Sequence, residues 1–387
     1  MYKKRLIRGL AAFAVLGIMG VAVLLTLLRF EHNTEISLPP LAGPLNVSRT
    51  VYHWVDDART DSLSPVQGKK RELMVWIWYP SVNAKSASAV YMPAAWRAAI
   101  QQNRGALESG FFMRDLSLVQ GHSSSAMKVS PALPFYPVVI LRSDIGALVL
   151  DYTALAEDLA SHGYIVVGID APYSTSVVVF PDGRTVTETT AGNPPENVSA
   201  GERDRRLNRL VTIWSADTRF VLDRLEQLNA GNPSSRFSGR LDPKSVGIFG
   251  HSFGGAVAAQ FCCDNARCKA GIDMDGDLYS SLIPDGLNRP FLLILSDHDA
   301  VYKHLPRGSL RITVRGARSL NFTDEALLKD LRLSRMLGEL GPIHPRRGLE
   351  VTSAYISAFF DSHLKNAPSP LLAGPSPLYP EVQFDSP

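Results

Sequence analysis

Cysteine is scarce in this chain: Cys262, Cys263 and Cys268 are the only three among 387 residues. They contain no C-x-x-C pair, and no His/Cys cluster has zinc-ligand spacing, which argues against a zinc site or a thiol-redox centre. No G-x-G-x-x-G follows an early strand and there is no P-loop, so neither nucleotide fingerprint is present. Charge of one sign is also lacking. The formal net charge is only +3, and basic residues gather at the N-terminus, so nothing points to a nucleic-acid partner. No internal repeat is visible, which excludes a solenoid. What remains is a chain of ordinary apolar content, long enough for one large α/β domain with insertions or for two domains.

Lys3, Lys4, Arg5 and Arg8 precede an uncharged stretch from Gly9 to Leu28. Such a run is long enough to span the hydrocarbon core of a bilayer as a helix. Positive charge on its N-terminal side predicts that end in the cytoplasm and the rest translocated, in the periplasm or outside the cell. A cleaved signal peptide is the rival. The Leu27-Leu28-Arg29-Phe30-Glu31 that follows has no A-x-A pattern and favours an uncleaved single-pass anchor over residues 1–30. Residues 31–45, with Pro39-Pro40 and Gly43-Pro44, read as a linker. In an oxidising compartment Cys262 or Cys263 could pair with Cys268; small buried residues at a helix end are the alternative.

Strand and helix signals then alternate. Val47 to Val55 and Glu72 to Tyr79 read as paired strands, the second ended by Pro80. Residues 81–135 read as irregular. Buried strands are expected at 137–141, 164–169, 244–249, 270–273, 291–295 and 310–314. Helices are expected at 151–162, 203–229, 256–263 and 349–364, and residues 171–200 form a loop over the site. This alternation predicts an α/β fold with a mostly parallel sheet covered by helices on both faces.

One stretch organises the rest. Gly250-His251-Ser252-Phe253-Gly254-Gly255 lies between an apolar strand and a small-residue helix. This is the strand, sharp turn and helix of a nucleophile elbow, G-x-S-x-G. The turn brings backbone close at positions 250 and 254, where side chains would clash. It stands Ser252 at a helix N-terminus, with the Phe253 N–H free to face a developing oxyanion. A serine needs a base at neutral pH, and the base an orienting acid; here the chain order is serine, acid, histidine. Asp275 follows the strand after the elbow helix, at the edge where catalytic groups collect. Asp297 and Asp299 follow the next strand and are the other candidates for the acid.

Gly250 to Ala256 and Lys269 to Gly276 together resemble the α/β-hydrolase group that includes the platelet-activating factor acetylhydrolases and their bacterial relatives. The likeness extends to Trp78-Tyr79-Pro80, Tyr152–Ile169, Phe180–Gly183 and Asn321–Asp324, covering roughly residues 70–365. It implies an α/β-hydrolase domain at 46–366, with a Pro-rich tail at 367–387. By matching positions it implies Ser252 as nucleophile and Asp275 as acid. The oxyanion donors would be the N–H groups of Phe253 and Ile145. It implies action on short-chain or lipid-like carboxylic esters, with no cofactor or metal.

The sequence departs from that family twice. In Gly316-Ala317-Arg318-Ser319-Leu320-Asn321-Phe322-Thr323-Asp324, Ser319 stands where the catalytic histidine is expected. A hydroxyl is far too weak a base to take the proton of Ser252. Loss of the base typically costs on the order of 10⁶ in kcat, with about 10³–10⁴ over water surviving through an oxyanion hole. Asp144 stands where relatives carry glycine in the oxyanion loop, and its carboxylate would oppose a developing negative charge. His298, flanked by Asp297 and Asp299, is the first substitute base to consider; His304 follows it in a loop. His344 lies in a later loop, and His363 is expected on the surface. His251 neighbours Ser252 but must point away from it. Two functions follow: a membrane-anchored serine ester hydrolase, impaired by the lost histidine, or an inactive relative that binds a ligand or partner without turnover.

Overall fold

The apolar runs of the chain align side by side in one sheet. The computed structural model describes residues 2–82, 88–231, 235–276, 287–297, 309–329 and 331–384. Its main strands are β1 (Asn46–Thr60), β2 (Lys70–Ser81), β3 (Val119–Ser125), β4 (Tyr136–Arg142), β5 (Ile165–Asp170), β6 (Leu241–His251), β7 (Cys268–Met274), β8 (Phe291–Ser296), β9 (Leu310–Val314) and β10 (Val382–Phe384). The main helices are α1 (Tyr2–His32), α2 (Ala94–Leu107), α3 (Thr153–Ser161), α4 (Ala200–Ala230), α5 (Phe253–Asp264) and α6 (Pro345–Leu364).

The order across the sheet is β3-β1-β2-β5-β4-β6-β7-β8-β9-β10. From β5 to β9 every neighbouring pair is parallel. Parallel strands need crossovers, and α3, α4 and α5 lie in chain order between successive strands of this half. The pleat then sorts side chains by face. Val139 and Leu141 of β4 pack with Leu155, Leu159, Ile356 and Phe360 from α3 and α6. Val138 and Ile140 pack on the opposite face with Val221, Leu222, Ala258 and Phe261 from α4 and α5. Burial on both faces explains why these strands read as continuous apolar runs.

Several expectations need correction. Residues 81–135 are not irregular: they hold α2, a short Ser88–Val90 strand and β3. The buried face of α2 is only Trp96, Ala99 and Ile100, too narrow a stripe to stand out among its polar residues. β3 (VQGHSSS) buries just Val119 and Ser123, and pairing with β1 and the short strand defines it instead. Pro80 does not end β2; the strand runs on to Ser81, and the Pro80 carbonyl accepts the Ser130 N–H at 2.9 Å. The loop 171–200 contains a small hairpin, Val177–Val179 with Thr185–Thr187.

Neither flanking stretch hangs free. Within 31–45, Ile36–Ser37 pairs with β3, and the Ala42 N–H donates to Asp158 Oδ1 of α3 at 2.7 Å. The Pro-rich C-terminal stretch returns to add β10 antiparallel to β9. Cys262 is bonded to Cys268 just past the elbow helix, and Cys263 is free and exposed.

Candidate active site

β6 ends at His251 and α5 begins at Phe253, so Ser252 alone makes the turn between them. Its backbone is left-handed (φ 51°, ψ −117°), a strain of about 1–3 kcal/mol for a residue with a Cβ. The glycines around it permit this. A Cβ on Gly250 would sit 2.0 Å from the Gly254 carbonyl oxygen, and one on Gly254 would sit 2.3 Å from the Arg142 carbonyl oxygen. The start of α5 therefore presses directly on the end of β4, and the loop leaving β4 passes beside Ser252.

The next two strands deliver their own candidates. Asp275 follows β7 and also has a left-handed backbone (φ 56°). It is pinned to β8: its N–H donates to the Ile294 carbonyl at 2.8 Å, and its Oδ1 accepts the Ser296 N–H at 2.9 Å. Ser319 opens the short turn Ser319–Phe322 after β9. Asp275 and Ser319 face one cavity of about 340 Å³, shared with Ser296, Arg318 and Glu339. The fold thus brings together the two positions expected to hold acid and base, and the second of them carries a hydroxyl.

His251 does point away from Ser252, and its target is Ser319. Its Nε2 lies 3.0 Å from Ser319 Oγ, while its Nδ1 lies 2.8 Å from the Tyr152 hydroxyl. That hydroxyl accepts the Asp144 N–H at 3.3 Å, so its own proton is available for His251 Nδ1. The consistent assignment is a neutral imidazole that donates from Nε2 to Ser319. Burial pushes the His251 pKa down, against the opposing charges of Asp144 and Asp275. Both ring nitrogens are engaged, so His251 is not a free base.

Asp144 is the sharper departure. Its Oδ1 accepts the Ile145 N–H at 2.8 Å and the Phe253 N–H at 3.1 Å. These are the two donors expected to form the oxyanion hole, and they do converge on one point. A carboxylate oxygen of the chain itself occupies it. The N-terminus of α5 adds a favourable dipole for that charge.

Among the described residues, the remaining candidates disperse. Asp297 is exposed and accepts the Gly316 N–H at 3.0 Å, so it braces the turn after β9. His298, Asp299 and His304 lie outside the described residues. His344 is exposed just before α6, and His363 is exposed on α6 against Phe359, as expected of a surface residue.

A buried acidic cluster fixes the frame. The Asp324 N–H donates to the Asp151 carbonyl at 2.6 Å, and Asp324 carboxylate oxygens accept the Ala154 N–H and the Tyr91 hydroxyl. This ties the Ser319 turn to the segment that carries Tyr152. Burial raises the Asp324 pKa well above the ordinary carboxylate range and pushes Asp151 up to about 7, with the charge of Glu325 adding to the latter. The sequence reading had no role for Tyr152, Asp151 or the His251–Ser319 contact. These partners are far apart in the chain and carry no local motif.

Comparison with known proteins identifies the family. The family model described as platelet-activating factor acetylhydrolase, isoform II, matches residues 31–368. A probable 1-alkyl-2-acetylglycerophosphocholine esterase of Arthroderma benhamiae is 25% identical, over 90% of this chain and 93% of its own. A platelet-activating factor acetylhydrolase of Cavia porcellus is 24% identical, over 74% of this chain and 72% of its own. Among solved structures, a ferulic acid esterase from Streptomyces cinnamoneus is 30% identical, with a TM-score of 0.74 over 91% of this chain and all of the other. With its α/β-hydrolase sheet and elbow, the chain belongs to the platelet-activating factor acetylhydrolase family of carboxylic ester hydrolases.

Proposed function

We propose that the chain is a membrane-anchored hydrolase of short-chain or lipid-like carboxylic esters that works through an acyl-enzyme on Ser252, and that Ser319 and Asp144 hold its turnover low. The observation that carries the reading is the strained Ser252 turn, with the N–H groups of Ile145 and Phe253 aimed at a single point beside it. In this mechanism the ester carbonyl takes the place now held by Asp144 Oδ1. Ser252 Oγ attacks the carbonyl carbon, and the oxyanion accepts both N–H bonds. The serine proton passes through solvent to the departing oxygen, the alcohol leaves, and water hydrolyses the acyl-enzyme, releasing the acid and restoring the Ser252 hydroxyl. Two steps are handicapped. No imidazole stands at position 319 to take the serine proton, and the Asp144 carboxylate must swing out before the oxyanion can form.

The anchor reading draws on α1. Its segment Arg8–His32 is long and apolar enough to cross a membrane, and most of its apolar side chains are exposed. The Cys262–Cys268 bond suits a domain on the translocated, oxidising side. A signal sequence would pass the same length test; alkaline extraction of membranes and the N-terminus of the mature chain distinguish the two.

A second reading follows from Asp144 and Ser319 together. A site that fills its own oxyanion hole and lacks its base could bind a ligand without turnover. Hydrolysis of a short p-nitrophenyl ester, measured for wild type beside Ser252→Ala, decides between them. A Ser252-dependent rate supports a slow hydrolase; equal rates for the two support the binding protein.

A further inference from the structure

Where α1 meets the domain, basic side chains surround a cavity of about 400 Å³. Arg29 and His32 come from the last turn of α1, Arg97 from α2, and Arg114 from the stretch leading into β3. Their roles differ. Arg114 is a fastener: it donates to the Glu31 and Thr34 carbonyls and pairs with Glu31 Oε1 at 3.2 Å. His32 Nδ1 lies 2.7 Å from the Met113 carbonyl, which fixes the ring and leaves Nε2 as its second nitrogen. Arg29 and Arg97 are different. Each makes one bond, to the Gly110 and Met92 carbonyls respectively, and among the described residues neither is within ion-pair distance of a carboxylate. The one carboxylate of the lining, Asp115, accepts the N–H and hydroxyl of Ser117 and also feels the nearby positive charges of His32 and Arg97, without forming an ion pair with either.

Large apolar side chains stand near this basic cavity. Phe30 on α1 is 75% exposed and Leu107 at the end of α2 is 71% exposed. Phe112 ends the turn Glu108–Phe112 that packs against α1 and is exposed as well. The apolar span ends at this same level, in Arg29 and His32. Arginines without an ion pair beside exposed apolar groups, at the depth where a membrane helix leaves the bilayer, match the two halves of an anionic lipid.

We infer that the cavity between the foot of α1 and α2 binds the phosphate headgroup of an anionic phospholipid, with Arg29 and Arg97 as its charged partners and the acyl chains lying along Phe30 and Phe112. This rests on the anchor reading above. It makes α1 more than a tether, because the bound lipid would fix the domain's height and tilt over the membrane that supplies a lipid-like ester.

The test uses the full chain, placed in nanodiscs of zwitterionic phospholipid with and without phosphatidylglycerol and then examined by native mass spectrometry for retained lipid. Wild type should retain phosphatidylglycerol over phosphatidylcholine by about tenfold, as two surface arginines allow. Arg29→Gln with Arg97→Gln should bring the two lipids to parity, while Arg29→Lys with Arg97→Lys keeps a preference. An unchanged melting temperature certifies the fold of each variant. Equal retention of the two lipids by the wild type, or an unchanged preference in the glutamine variant, overturns the site. Displacement of the lipid preference by millimolar inorganic phosphate alone would mark a free-phosphate site and overturns the lipid assignment. Failure of the anchor reads differently: the chain then leaves membranes at alkaline pH and enters no nanodisc.

Discussion

The carboxylate of Asp144 accepts the backbone N–H of Phe253 at 3.1 Å, joining the loop after β4 to the first turn of α5 across 109 positions of sequence. The contact depends on Gly254, whose missing side chain lets α5 approach the Arg142 carbonyl. The Ile145 N–H lies on the same oxygen, so this carboxylate fills the point where the proposed mechanism needs an oxyanion hole.

Emptying that hole should raise reactivity. Asp144→Gly, introduced together with Ser319→His, is expected to hydrolyse a p-nitrophenyl ester about 10²–10³ faster than Ser319→His alone, the usual worth of an oxyanion donor. Comparable kcat values for the two variants would mean the carboxylate leaves the hole without cost when substrate binds.

Restoring the base should matter more. Ser319→His places an imidazole beside Asp275, in the cavity these two positions already share. Turnover should rise by several powers of ten, toward the roughly 10⁶ that a triad base contributes. Added imidazole should accelerate the wild type through the same cavity, and this rescue should vanish in Asp275→Ala. A wild type that is already fast, and indifferent to both changes, would send the search for the base to His298.

His251 is expected to act through structure. Replacing it with Phe removes both the Tyr152 and the Ser319 contacts and leaves the Tyr152 hydroxyl with one buried bond fewer. Urea unfolding should show a loss of about 1–3 kcal/mol, the penalty for an unmet buried polar group. A loss of Ser252-dependent esterase activity without any loss of stability would instead make the imidazole part of the proton path.

Asp151 should leave a signature in the pH dependence of stability. Its pKa is about 7 in the fold against an ordinary 3.8. Between those values the folded chain binds more protons at this group than the unfolded chain, so its contribution is fully present below about pH 4 and is lost as pH rises through 7. Buried His251, with its lowered pKa, works in the opposite direction near neutrality. The clean measurement is therefore a difference: from pH 5 to 8, the melting temperature of wild type should fall relative to that of Asp151→Asn. Parallel curves would place the Asp151 pKa near its ordinary value.

The strands buried on both faces were legible because their signal is local: runs such as Pro137–Leu141 and Phe291–Leu295 have no solvent side to interrupt them. The elbow was legible for the same reason, since its glycines and serine are consecutive. α2 and β3 were not, because their few buried positions are defined by partners elsewhere in the chain. Within the site, Asp275 and Ser319 could be matched by position, whereas the bond from Ser319 to His251 and the fate of Asp144 could not.

By itself the sequence determined the α/β class, the turn at Ser252, the absence of a histidine at position 319 and an acidic side chain at position 144. The class and the turn follow from residue type and local spacing, and the other two gain their meaning from the resemblance to the family. Only the tertiary structure decided where those groups point. Asp144 reaches the Phe253 N–H because β4 and β6 are neighbours in the sheet and glycine lets α5 close on the loop; His251 turns to Ser319 because the pleat directs it across from Ser252. Such contacts join residues about 70 to 110 positions apart, and hydrogen-bond geometry at that separation is set by packing, which no local pattern encodes.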